Sequence, residues 1–147
     1  MTAPIKKIDF LSSIRKDSYN LINLILAGII ICIFLYSAIY SPLKNNYPLL
    51  SFHDYLTGQK SISTGLSRGF SSIMRGNFAE ARTCNIYCIR LFTFFLIQLL
   101  MRGLIFLTTW KSKNKIRNLI VRSDILISAG LFVYSFLPFL KDVLHLN

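Results

Sequence analysis

The chain has 147 residues, 53% of them hydrophobic, and a net charge of +11. That length allows one domain, and apolar residues gathered in long runs exclude an ordinary soluble globule. The 17 Lys+Arg against 6 Asp+Glu flank those runs instead of forming one basic stripe with interleaved aromatics. This argues against nucleic acid as a partner and for topology signals and contacts with lipid phosphate.

Residues 1–20 are polar and basic, with Lys6, Lys7, Arg15 and Lys16. Ile5, Phe10, Leu11 and Ile14 give a loose apolar face, enough for a short surface helix. A first span is predicted over 21–40. It is uncharged, ends on Tyr36 and Tyr40 at interface depth, and is followed by Pro42. At about twenty residues it is longer than a signal-peptide core, and Ser41-Pro42 makes a poor cleavage site, so a retained anchor is expected.

A second span is predicted over 86–109, with Arg90 and Arg102 near its ends, where both can snorkel to headgroups, and Trp110 at the far interface. A basic segment follows, and a third span over 122–140 with Pro138 in its last turn. Residues 1–20 and 110–124 hold nine Lys/Arg in 35 positions; residues 41–84 and 141–147 hold six in 51. The denser side should be cytoplasmic, with the N-terminus inside and the 41–85 segment outside. The expected fold class is therefore all-α and integral to the membrane: three transmembrane helices plus an outer interfacial amphipathic helix.

The segment between the first two spans is too apolar for a linker. Leu66, Phe70, Ile73 and Met74 recur at helical spacing and make one face, with Arg68, Ser71, Ser72 and Arg75 opposite. This predicts an amphipathic helix in the headgroup plane, capped by a hydroxyl among Ser61, Ser63 and Thr64 and ended by Gly76-Asn77. Asn77 then opens another helix with Glu80 at the spacing of a capping box, and that helix is expected to run unbroken from Phe78 into the second span.

Thr57-Gly58, Gly65-Leu66-Ser67-Arg68, Arg75-Gly76-Asn77-Phe78-Ala79-Glu80-Ala81 and Asn85 resemble a family of small bacterial membrane proteins known only as a domain of unknown function. Its signature runs approximately CP, TGxxCPGCGLTRA, a hydrophobic helix, RGDFAAA and NP. The resemblance covers about residues 50–95, ungapped from Gly65 to Asn85. Where the family has cysteines this chain has Ser51, Ser61 and Thr64; Ile62-Ser63 replaces Pro-Gly, and Ile86 replaces the last proline. The resemblance implies a scaffold of turn, amphipathic helix, capped helix and span. It implies no activity, and no metal at the replaced cysteines, because hydroxyls are poor ligands for ions that thiolates hold.

Other candidate chemistry is thin. Cys84 and Cys88 lie four apart on one helix face with His53 or His145 as further ligands, but two thiols at that spacing more often pack in a bundle. Ser51, His53 and Asp54 are neighbours in sequence, which is no sign of a triad assembled in space. Asn23, Thr93 and Gln98 inside spans suit helix–helix hydrogen bonds. Arg68 and Arg75 read either as contacts to lipid phosphate or an acidic partner, or as interfacial anchors and bonds to helix-end carbonyls. The expected function is non-catalytic, without cofactor or metal: an accessory or structural subunit docking to a larger membrane protein complex. The alternative is a module for anionic lipid or a small ligand, using residues 57–82. Arg68, Arg75, Leu66, Phe70 and Met74 are the candidate contact residues in both.

Overall fold

The computed structural model describes residues 17–40, 62–111 and 114–144. Every regular element among them is a helix: α1 (Ser18–Ile39), α2 (Leu66–Met74), α3 (Phe78–Cys84), α4 (Cys88–Lys111) and α5 (Asn114–Val143). Three are long and apolar enough to cross a bilayer, over Ser18–Ile39, Cys88–Thr109 and Ile116–Val143. The third span starts earlier than its apolar run, because the basic residues before it include no Gly or Pro to stop a helix. At 30 residues α5 is roughly 45 Å long.

Burial is inverted relative to a water-soluble bundle. On α1, Ile22 is 55% exposed and the next residue, Asn23, is 1% exposed. Leu104, Leu107 and Leu126 face outward, while Gln98, Arg102 and Asp124 are buried. Apolar outside and polar inside is the arrangement that hydrocarbon solvent selects.

The α4 helix is the centre. It packs on α1, α2, α3 and α5, whereas α1 and α5 do not pack along their length. The core beneath α2 is Phe70, Ile73, Ala81, Cys88 and Leu91. Rings extend it: Phe70 meets Phe92 edge-on at 5.3 Å, and Phe94 meets Phe136 of α5 at 5.2 Å. Such edge-to-face pairs add to the gain from close packing.

Local chemistry sets the helix ends. Asp17 caps α1, its carboxylate accepting from Asn20 N (3.4 Å) and Asn20 Nδ2 (2.8 Å). The cap position of α2 falls on Gly65 at φ 87°, not on a hydroxyl residue. An added Cβ there would sit 2.3 Å from the Cys84 carbonyl oxygen, so the position needs glycine twice over. The end of α2 is a Schellman turn: Gly76 N donates to Ile73 O (2.9 Å), Asn77 N donates to Ser72 O (2.9 Å), and Gly76 has φ 80°.

Asn77 caps α3 as expected, its Oδ1 accepting from Glu80 N at 3.1 Å. Glu80 reaches back to the Asn77 side-chain amide (2.8 Å), not to its backbone N–H, which the Schellman turn has already taken. The expected continuous helix from Phe78 is broken at Asn85. Its Nδ2 donates to the Ile62 (2.7 Å) and Thr64 (3.1 Å) carbonyls, and its Oδ1 accepts from Tyr87 N (2.9 Å). One buried amide thus ends α3, starts α4 and holds the turn before α2.

Candidate functional site

The end of the bundle where α1 starts is closed by a polar clamp. Arg102 of α4 forks onto Asp124 of α5, Nη1 to Oδ2 at 2.8 Å and Nη2 to Oδ1 at 2.6 Å. Gln98 Oε1 (3.1 Å), Ser128 Oγ (2.6 Å) and Asn23 Oδ1 of α1 also accept from the guanidinium. Tyr19 donates to Asp124 Oδ2 at 2.7 Å, Thr109 to Asn20 Oδ1 at 2.7 Å, and Arg117 pairs with Asp17 at 2.5 Å. All three spans are therefore joined at this end, over about two helical turns, by charged, amide and hydroxyl groups. The expectation that Arg102 snorkels is corrected: it is 6% exposed and turned inward to Asp124, which is 4% exposed. A carboxylate one helix away is a closer partner than a headgroup.

Arg90 does not reach out either. Its guanidinium donates to the Tyr134 carbonyl and lies 4.3 Å from the centre of the Tyr134 ring. The reason is Pro138, inside α5, which has no N–H for the carbonyl four residues back. Arg90 supplies the donor that the helix lacks.

Between clamp and α2 runs an apolar cleft of about 810 Å³. One wall is α1, with Ile25, Gly28, Ile29, Cys32 and Ile33; the other is α5, with Phe136 and Phe139. Leu91 and Phe95 of α4 form the floor, and Leu66 and Phe70 of α2 close the far end. The cleft exists because α1 and α5 both pack on α4 and, among the described residues, meet each other at the clamp and not along their length. Its polar lining, Tyr36, Ser37 and Ser67, lies at the α2 end. A Cβ on Gly28 would meet nothing within 4 Å, so this glycine widens the cleft without being needed for helix packing.

The predicted contact residues divide by position. Phe70 is buried in the core, Leu66 packs against it, and Met74 is 41% exposed. The face opposite is not a wet one: Ser71 and Ser72 are fully buried. Ser71 Oγ donates to the Tyr40 carbonyl, and Arg75 donates to the carbonyls of Ser37 (3.5 Å), Ala38 (3.2 Å) and Ser71 (3.0 Å). The Ser37 and Ala38 carbonyls end α1, so Arg75 caps that helix from outside, while its bond to Ser71 stays within α2. Arg68 is half-buried and makes no hydrogen bond or ion pair among the described residues.

Cys88 is buried, its Sγ facing the Ala81 carbonyl at 2.9 Å, and no group of three metal-ligating side chains occurs among the described residues. Ser51, His53, Asp54, Ser61 and His145, and the surface helix expected before residue 17, lie outside those residues. The clamp carried a periodic signal in the sequence: Gln98 and Arg102, and Asp124 and Ser128, are each four apart, and Asn20 and Asn23 three apart. No protein-family model, curated protein or solved structure matches the chain.

Proposed function

We propose that this is a non-catalytic membrane protein that takes the hydrocarbon chain of a lipid into the cleft beside α4. The observation that carries this reading is the size and placement of the cleft. It spans Ile25 to Ser37 on α1, roughly 18 Å at 1.5 Å per residue. One leaflet of hydrocarbon is about 15 Å deep. A partner's spanning helix would present about 30 Å of face, longer than the stretch of α1 that lines the cleft. A cleft one leaflet long, carbon-lined, with hydroxyls at one end, matches a lipid chain with its head at the α2 end.

Gly28→Leu tests this, because it fills the cleft from a position free of neighbours. Protein purified in mild detergent should carry lipid at near-constant stoichiometry, and Gly28→Leu should lose most of it. Equal lipid in both proteins would overturn the reading. The charge count supports an N-terminus on the cytoplasmic side and the α2 end outside, and the resemblance of residues 50–95 to small bacterial membrane proteins supports a bacterial inner membrane. Single cysteines at Lys113 and Lys60 should then label from opposite sides.

Docking to a larger membrane assembly is a second reading, favoured by α5. Its roughly 45 Å exceed the hydrocarbon core by about ten residues, and the extra turns carry exposed Arg122. Stoichiometric co-purifying protein, released by Arg122→Glu, would support that reading.

A further inference from the structure

We propose that the clamp binds water within the membrane, drawn in along a lane of polar side chains from that end of the bundle. The observation behind this is a surplus of donors. Asn23 Nδ2, Gln98 Nε2 and Arg102 Nε are buried and meet no acceptor among the described residues. The three residues are 1%, 7% and 6% exposed. Hydrocarbon offers such groups nothing, so each one left bare is costly.

Turning an amide does not cure the surplus. Asn23 Oδ1 accepts from Arg102 Nη1, and Gln98 Oε1 accepts from Arg102 Nη2 at 3.1 Å. Flipping either amide would set N–H against N–H. The Asp124 carboxylate is engaged as well, Oδ1 by Arg102 and Ser128, Oδ2 by Arg102 and Tyr19. The group that fits is therefore an acceptor from outside this set.

Charge selects which acceptor. Arg102 is balanced by Asp124, and Arg117 by Asp17. An anion would leave a net charge between the spans; water would not. Water also has protons to give, and an amide oxygen with one bond keeps a lone pair to take one.

The side chains also make a route. The Asp17–Arg117 pair stands at the rim, with side chains 21% and 32% exposed. Asn20 and Thr109 come next, joined at 2.7 Å, then Asp124 with Tyr19, then Arg102 with Asn23, and Gln98 deepest. From Asp17 to Asn23 the lane follows α1 for roughly 9 Å. About one turn beyond Gln98, on the same face of α4, lies Phe95, where the carbon lining of the cleft begins.

The test is water-edited solid-state NMR on the full chain in lipid bilayers, with nitrogen-15 in the side chains and backbone. Magnetisation from water should reach the side-chain amides of Asn23 and Gln98 and the Arg102 Nε, and should not reach the Phe95 backbone amide. Asn20→Leu puts an apolar plug in the lane and should abolish the transfer to Gln98; Asn20→Ser keeps a polar rung and should preserve it. Exchanging chloride for sulfate in the buffer should leave all three resonances in place. No transfer to Gln98 in the wild type would overturn the proposal. Transfer that survives Asn20→Leu, or that is equal at Phe95, would overturn the lane. Resonances that move with chloride would make the acceptor an anion and overturn the assignment to water.

Discussion

The two ends of the bundle are held by opposite means. At the clamp end, Arg102, Asp124, Asn23 and Gln98 join three helices through side chains, with the charges in a bidentate pair. At the α2 end the helices are joined by close backbone approach at Gly65 and Gly69, by ring packing around Phe70, and by Arg75 on the open carbonyls of α1. The clamp pairs charges and amide oxygens that hydrocarbon cannot solvate, leaving Asn23 Nδ2, Gln98 Nε2 and Arg102 Nε buried without an acceptor among the described residues; the α2 end satisfies backbone groups that helix ends leave over. The first kind of joint fails when one partner is removed. The second fails when an atom is added.

Asp124→Leu should have the largest effect. It leaves Arg102 buried without its countercharge, a loss of about 3–5 kcal/mol, read as a lower midpoint of unfolding by dodecyl sulfate in micelles. Arg102→Met combined with Asp124→Leu should recover most of it, since matched apolar replacements of a buried pair are often neutral. A double variant no better than the single one would mean that the pair is not what joins the spans.

Gly65→Ala and Gly76→Ala separate strain from collision. Both residues have positive φ, but only at Gly65 would the new Cβ meet backbone. Thermal unfolding should show Gly76→Ala costing about 1–2 kcal/mol for the left-handed backbone alone. Gly65→Ala should cost about 1–3 kcal/mol more for the overpacking. Equal losses would show that α2 can lift off Cys84 without penalty.

A double-mutant cycle probes Arg90. Arg90→Met should cost about 1–2 kcal/mol by leaving the Tyr134 carbonyl unbonded, and less in a Pro138→Ala background, where the helix supplies its own N–H. Strict additivity would disconnect the two residues. The smallest change is Asn77→Ala, about 1 kcal/mol from a lost cap, seen as faster amide exchange confined to the first turn of α3.

Much of this was legible in the sequence. Uncharged runs of spanning length marked α1 and α4, and the spacing Leu66-Phe70-Ile73-Met74 marked α2 nearly to the residue. The clamp was harder to read, because Asp124 and Asn20 sit at the edges of apolar runs, where a polar residue looks like loop. Its members share helical faces three or four apart, but pairing Arg102 with Asp124 needs α4 and α5 in register, which composition does not encode. The break at Asn85 was hidden because asparagine in an otherwise helical stretch is unremarkable until its amide finds the Ile62 and Thr64 carbonyls. The cleft could not be read at all: it is a property of how α1 and α5 diverge on α4 beyond the clamp, not of any residue.

The Arg102–Asp124 pair also bears on how the chain enters the bilayer. Either charge alone, on a helix threaded singly, opposes insertion, by less than its cost of about 2.5–3.5 kcal/mol at the membrane centre. The helices that carry them are consecutive, α4 ending at Lys111 and α5 beginning at Asn114. If they move into lipid together as a hairpin, each charge arrives already neutralised by the other. The membrane-integration machinery then handles one weakly polar unit in place of two reluctant ones. The pair is thus a constraint on biogenesis, favouring retention of α4 at the protein-conducting channel until α5 has been made.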